Sequence, residues 1–129
     1  MQMAEKLALF TKPPDLLIPV PLHNSRLRSR GYNQAWELAK HLSKLSGIPA
    51  SYKLCSRIKK TPLQTGLKAS ERKRNLKQAF AVTAKVKDLH ICIIDDVMTT
   101  GSTLEAIASV LKVAGATHVS GLVVARAVL

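Results

Sequence analysis

The stretch His90-Ile91-Cys92-Ile93-Ile94-Asp95-Asp96-Val97-Met98-Thr99-Thr100-Gly101-Ser102-Thr103-Leu104 constrains this chain more than any other. Its short run of β-branched residues predicts a buried strand, as in a parallel sheet covered by helices on both faces. Asp95 and Asp96 stand at the carboxyl end of that run, ahead of a loop of small hydroxyl residues around Gly101. An amphipathic helix follows, with Leu104, Ile107, Ala108 and Leu111 on its apolar face. Open parallel sheets bind ligands outside the carboxyl ends of their strands. A helix N-terminus, with its free backbone N–H groups, is a ready anion site. The stretch therefore predicts a phosphate cradle with two acids beside it, suited to a sugar phosphate whose hydroxyls the acids accept. Ser102 and Glu105 have the spacing of a capping box, and Gly115 is placed to end the helix in the left-handed conformation. If Ser102 instead turns its hydroxyl to a phosphate, that cap is given up; the residues leave both arrangements open.

Three other readings of an apolar strand ending in paired acids compete. The metal-binding strand of a P-loop NTPase requires an upstream G-x-x-x-x-G-K-[ST] loop, and the sequence contains none. Receiver domains carry paired acids after an early strand, with most of the sheet still to come. Here only one further strand, Val119–Ala125, can follow. A purely structural strand–turn–helix does not need two carboxylates beside Thr-Thr-Gly-Ser-Thr.

Net charge is the second bound. Against 20 Lys and Arg stand 8 Asp and Glu, a formal charge of +12, which draws polyanions, whether nucleic acid or a phosphorylated small molecule. The cations cluster: Lys53, Arg57, Lys59, Lys60, Lys68, Arg72, Lys73, Arg74 and Lys77 share one segment with Glu71 alone opposing them. Arg26, Arg28 and Arg30 form a second cluster. Both lie outside the acid-bearing stretch.

Length sets residues 1–129 as a single domain, and 4% aromatic residues imply an aliphatic core. No apolar run approaches the length of a membrane span, and Met1 to Phe10 lacks the layout of a secretory signal. Leu7 and Phe10 suit a short amphipathic helix instead. Cys55 and Cys92, inside apparent strands, read as buried thiols rather than a disulfide, which fits a cytoplasmic protein. Neither belongs to a C-x-x-C pair, so no zinc site is expected. His118 reads as a surface residue at a strand start, and His23 and His41 have no identifiable partner.

Taken in order, Lys12-Pro13-Pro14 breaks the chain and Leu16 to Val20 forms a strand that ends close to Pro19. The basic loop His23–Gln34 follows, with arginines at alternate positions, suited to bidentate phosphate contacts, and with Gly31 allowing close approach of the backbone. A solvated basic loop explains the same spacing equally well. From Asn33 to Ser46 the pattern is helical, with Leu38, Leu42 and Leu45 on the apolar face and Gly47 as the stop. Ile48 to Arg57 supplies a second strand, and this alternation favours parallel strands with crossover helices. Residues 58–77 are too long for an ordinary connection and predict a lid or a partly helical excursion, with Ala69–Gln78 as a helix of basic exposed face. A solvated charge run is the competing reading. Ala79–Val82 is a short strand, and Val86-Lys87-Asp88 turns into the central stretch.

The apolar strand, twin acids and Thr-Thr-Gly-x-Thr loop resemble the ribose-phosphate motif of type I phosphoribosyltransferases. The similarity extends to Pro19-Val20-Pro21-Leu22-His23, to Arg26-x-Arg28-x-Arg30-Gly31-Tyr32-Asn33-Gln34, to Thr61–Leu67, and to Arg72-x-x-Asn75 with Ala79-Phe80. Together these look like the ComF/GntX branch of that family, across nearly all of residues 15–126. The resemblance implies an α/β fold of the type I phosphoribosyltransferase kind, with a mostly parallel central sheet flanked by helices. It implies that Asp95 and Asp96 hold the ribose hydroxyls of phosphoribosyl pyrophosphate (PRPP) as the catalytic pair. Thr99, Thr100, Gly101, Ser102 and Thr103 would bind the 5′-phosphate. Arg30, Gly31, Tyr32 and Asn33 would bind the diphosphate, and Lys59, Lys60, Gln64 and Arg72 would belong to the flexible loop that closes over PRPP.

Mg²⁺ is the implied cofactor, held through PRPP and water near Asp95 and Asp96 rather than by direct protein ligands. The implied reaction is transfer of phosphoribosyl with release of diphosphate, and the branch is associated with competence and DNA uptake. The alternative is a module that keeps the fold without catalysis, binding single-stranded DNA through basic residues 53–77 or sensing PRPP. Tyr32 and Trp36 alone are too few for a stacking platform, which counts against the DNA module. A homo-oligomer or a competence-protein partner is compatible with the resemblance, and no membrane contact is expected. Many ComF-like proteins begin with a cysteine-rich zinc module that this sequence lacks, so the chain is expected to be a fragment or a short member.

Overall fold

Ile91, Cys92, Ile93 and Ile94 form the middle of strand β4 (His90–Met98) in a computed structural model of the chain. The structure describes residues 13–21, 33–58, 71, 79–98 and 101–126, with the backbone alone at 96–98 and 124–126. The four side chains are at most 1% exposed, as a strand covered on both faces requires. Each large aliphatic side chain so buried contributes about 1.5–3 kcal/mol relative to exposure. β1 (Leu16–Pro19) and β5 (His118–Arg126) flank β4, both parallel to it, in the order β1-β4-β5.

The period of two along β4 sorts the core into two layers. Ile91 and Ile93 join Ile18 under helix α2 (Ser102–Val113), whose Ala106, Ile107 and Leu111 are buried against them. Cys92 and Ile94 join Leu17 and Leu122 under helix α1 (Gln34–Ser46), through Ala39 and Leu42. Gly47, at φ 78°, ends α1 with its N–H donating to the Ser43 carbonyl, the left-handed stop expected from the sequence. Ala114 caps α2 and Gly115 follows at φ 114°, where a Cβ would come within 3.2 Å of the Lys87 backbone. A side chain at 115 therefore meets both an unfavourable φ and a fixed neighbour.

One expected strand is largely rebuilt. Within Ile48–Arg57 only β2 (Cys55–Arg57) is a strand, and it pairs antiparallel with β3 (Phe80–Val82) as a separate ribbon. The preceding residues touch the central sheet once, where Ala50 bridges Leu17 in parallel. Pro49 explains why the pairing stays short: it accepts from the Leu17 N–H but has no N–H to return. The ribbon packs through Cys55 and Phe80 on the layer under α2. It also joins the ends of the long basic excursion, since the Ile58 N–H donates to the Ala79 carbonyl at 2.7 Å. Of the expected Ala69–Gln78 helix, Glu71 alone lies among the described residues, and it is helical and exposed. The N-terminal helix around Leu7 and Phe10 lies outside them.

At the amino end of β4 the Asp15 carboxylate accepts from the His90 N–H, and His90 Nε2 lies 3.0 Å from Ser120 Oγ. His118 is exposed at the start of β5, as its sequence position suggested, and its ring meets that of His90 edge-on. No helix among the described residues is long and apolar enough to cross a membrane.

Cys55 and Cys92 are buried free thiols. Burial pushes both up to about 11, and for Cys92 a hydrogen bond with Ser120 offsets part of the effect. A thiol whose folded pKa lies above its unfolded value favours the fold fully below the unfolded value. That contribution is lost as pH rises from about 8.5 toward the folded value. Denaturant titrations are expected to show stability declining between about pH 9 and 11, and declining less in Cys55→Ala/Cys92→Ala. Thiol reagents at pH 8 should label the native chain only after unfolding.

Candidate functional site

The parallel ladder around β4 is lopsided at its carboxyl end. On the β1 side, register stops at Pro19 opposite Ile94, where the Val20 N–H donates to the Ile94 carbonyl at 2.9 Å. On the β5 side it continues through Asp95 opposite Val123 to Met98 opposite Arg126. Asp95 and Asp96 thus lie within the strand rather than after it, on the part where only one edge is paired among the described residues. There β4 runs on past the last paired residue of β1.

The chain connections reinforce it. After β1, helix α1 packs on one face and returns to the outer side of β1 at residues 49–51. After β4, helix α2 packs on the opposite face and leads to β5. Crossovers leaving in opposite directions from adjacent strands define a topological switch point, where open α/β sheets hold their ligands. Alternation along β4 puts Asp95 on the Ile91–Ile93 face, the one α2 covers, and Asp95 is half-buried there.

The start of α2 departs from the expected capping box. Gly101, not Ser102, is the N-cap, at φ 82° and without a side-chain cap. The first intrahelical bond runs from the Glu105 N–H to the Gly101 carbonyl at 3.0 Å. A capping Ser hydroxyl would occupy an amide in the first turn; a glycine N-cap has no side chain to do so. The N-terminus of α2, with its partial positive charge, faces the carboxyl end of the sheet. Ser102 and Thr103 are the first helical residues, exposed and half-buried respectively, and Thr99 and Thr100 lie outside the described residues.

Asn33 has a role that the sequence reading missed. Its Oδ1 accepts from Ala35 N–H at 2.9 Å and Trp36 N–H at 3.3 Å, capping α1. Its Nδ2 donates to the Val20 carbonyl at 3.0 Å. One side chain therefore ties the end of β1 to the start of α1 and closes the base of the intervening basic loop. The signal was an Asn immediately before an apolar helical pattern. Arg30, Gly31 and Tyr32 lie outside the described residues, as do Lys59, Lys60, Gln64 and Arg72 of the expected flexible loop.

A parallel α/β sheet with crossovers to both faces is shared with solved phosphoribosyltransferases. The structure is similar to purine phosphoribosyltransferase from Pyrococcus horikoshii, with a TM-score of 0.57 and 24% identity over 96% of this chain and 67% of that one. It is likewise similar to a hypoxanthine phosphoribosyltransferase from Staphylococcus aureus, with a TM-score of 0.55 and 14% identity, covering 98% and 69% of the two chains. At these identities the likeness speaks for the fold alone. The chain belongs to the phosphoribosyl transferase domain family, whose model matches residues 28–128. It is 40% identical to Competence protein F of Haemophilus influenzae over 90% of this chain and 52% of that protein. It is 42% identical to DNA utilization protein YhgH of Salmonella typhi over 82% of this chain and 47% of that one. The chain thus spans about half the length of the curated relatives it matches.

Two substitutions separate the scaffold from the cradle. Asn33→Ala removes a helix cap and the tie to Val20, and is expected to lower unfolding free energy by about 0.5–2 kcal/mol in urea titrations. Gly101→Ala forces a Cβ into the left-handed region at φ 82° and is expected to destabilise by about 1–2 kcal/mol in the same measurement.

Proposed function

We propose that the chain is a PRPP-binding phosphoribosyltransferase of the ComF type that acts in competence and DNA handling. The observation that carries this reading is the half-edged end of β4, with Asp95 on the same face as a helix whose N-cap is a bare glycine. Carboxylates beside an anion site match a ribose 5-phosphate: hydroxyl hydrogens for the acids and phosphate oxygens for backbone N–H groups. The names of the competence and DNA-utilization relatives support the cellular role.

In the proposed reaction the bond from C1′ to the diphosphate oxygen breaks, the acceptor forms a new bond at C1′, and diphosphate leaves with the bonding pair. Asp95 and Asp96 orient the ribose by accepting from its hydroxyls. Thr99, Thr100, Gly101, Ser102 and Thr103 hold the 5′-phosphate, and Arg30, Gly31 and Tyr32 face the diphosphate. Asn33, its side chain engaged by Val20, Ala35 and Trp36, holds the base of that loop. Lys59, Lys60, Gln64 and Arg72 close over the site and exclude water, the competing nucleophile. Catalysis is then positional and electrostatic.

Carboxylate oxygens at that end of β4 suit Mg²⁺ of the kind that keeps its waters and binds through substrate phosphates and one or two acids. When bound, the ion neutralises charge on the departing diphosphate. A cytoplasmic setting agrees with the buried, unbridged thiols.

The test is PRPP binding by calorimetry together with a diphosphate-release assay against a panel of nucleobases and amines, with Mg²⁺. The wild-type chain is expected to bind PRPP and to release diphosphate with one acceptor class. Asp95→Asn keeps the shape but weakens the charge-assisted bonds; it is expected to lower affinity about 10- to 150-fold and to abolish turnover while circular dichroism stays unchanged. Wild-type turnover in Asp95→Asn would sink the assignment of the acids. Binding without release for every acceptor would leave a PRPP sensor.

A further inference from the structure

The two edges of the central sheet are finished differently. On the outer side of β1 the Leu17 N–H donates to the Pro49 carbonyl at 2.9 Å, and the Ser51 N–H donates to the Leu17 carbonyl at 3.0 Å. On the outer side of β5 no strand pairs among the described residues. An open strand edge is a template for another strand, and folded chains blunt it with lysine, proline, a bulge or brevity. β5 has none of these. It is nine residues long, its register against β4 is unbroken, and Val119–Ala125 contains neither a charged residue nor a proline.

The edge is apolar on both of its faces. α1 lies over β1 and β4, and its Trp36 is turned to the β1 side, where the ring meets Tyr52. Leu38 and Leu45 are about 180–200° round the helix from Trp36, so they look toward β5. Leu38 is half-buried on the layer that holds Leu122, and Leu45 is 58% exposed. Lys40 falls on the other flank, with its Nζ over the Trp36 ring. On the opposite face Leu104 of α2 stands over Gly121, which is exposed between half-buried Val119 and Val123. β4 has no such half-covered aliphatic side chain from Ile91 to Ile94.

We propose that the free edge of β5, with Leu38 and Leu45 of α1 and Leu104 of α2, is the contact between two copies of this chain. The copies pair β5 to β5, antiparallel about a two-fold axis, as a self-complementary contact requires. Nine residues at about 3.3 Å each make the edge roughly 30 Å long. Helix, sheet and helix layers of about 10 Å each give it a face of roughly 900 Å², against the ~800 Å² per partner of a standard stable interface. A nucleic acid or an acidic partner finds no cation along Val119–Ala125, whereas a second copy meets it with the same apolar strip. The charge of +12 on each copy opposes the approach, so screening by salt strengthens the contact.

The 129-residue chain is followed by sedimentation equilibrium over a concentration series at low and high salt, with hydrogen exchange of the β5 amides in parallel. The mass is expected to rise from one copy to two, and to do so at lower concentration in high salt. Exchange in Val119–Ala125 is expected to slow as the dimer forms. Gly121→Lys sets a lysine near the middle of the edge, close to its symmetry mate, where the added Cβ meets only ordinary contacts. It is expected to raise the dimer dissociation constant about 100-fold or more, with circular dichroism unchanged. Leu45→Lys, at an exposed helix position, is expected to raise it about 10-fold. Val113, 90% exposed and half a turn round α2 from Leu104, is the control: Val113→Lys is expected to leave the dimer unchanged. Single-copy mass at every concentration overturns the proposal, whether the β5 amides exchange freely or are covered by the chain's own residues. So does association that weakens with salt, as bridging by nucleic acid does, wild-type dimerisation in Gly121→Lys or Leu45→Lys, or loss of the dimer in Val113→Lys. The contact uses none of the residues assigned to PRPP, so PRPP calorimetry tests that reading independently.

Discussion

β4 is hydrogen-bonded on both edges and covered on both faces as far as Ile94, and beyond Ile94 only its β5 edge is paired among the described residues. The other elements take their places from that asymmetry. The doubly paired part must be apolar, because neither face nor edge reaches water; hence the Ile-Cys-Ile-Ile run. In the singly paired part Asp95 is half-buried, which spares its carboxylate the desolvation that burial on both faces would impose. The change from isoleucine to aspartate in one residue marks the point where the neighbouring strand gives out. Pro19 and Pro21 reinforce the stop, since neither can donate a ladder hydrogen bond on the β1 side.

From this centre the two helices part company. α1 takes the face of Cys92 and Ile94, and α2 the face of Ile91 and Ile93. Because Asp95 continues the α2 face, the helix that follows the acids covers the same side as the first of them. The short loop between β4 and α2 then keeps acid and helix N-terminus close in sequence and on one side of the sheet. Gly101 serves this arrangement in two ways: its φ of 82° turns the chain into the helix, and its missing side chain leaves the helix without an intrinsic cap. A serine at the N-cap would have made a more stable helix start, its hydroxyl accepting from an amide of the first turn.

Much of this was legible in the sequence because it is local. The strand at 91–94, the helix ending at Gly47 and the left-handed glycine after α2 each follow from periodicity and stop signals within one element. What was misread depends on contacts between elements. Ile48–Arg57 has strand composition, but Pro49 and the short bridge at Ala50 leave Cys55–Arg57 to pair with Phe80–Val82 across a long excursion. The capping box failed by one residue: Ser102 and Glu105 have the right spacing, but the helix begins a residue earlier than the motif needs, with Gly101 in the cap. Asn33, placed at the diphosphate by the family resemblance, also carries a support that its position in the sequence does not show: its side chain reaches back to Val20, thirteen residues upstream. The sheet could be read from the chain; the contacts between elements that hold its ends could not.

The distribution of charge has a physical logic of its own. The sheet end carries the acids, and the excess cations sit on segments whose two ends are clasped by the fold: Val20 to Asn33 for the arginine cluster, Ile58 to Ala79 for the lysine-rich excursion. Because those bonds hold the ends of each segment together in the folded chain, the loop-closure entropy of both segments is already offset by the fold.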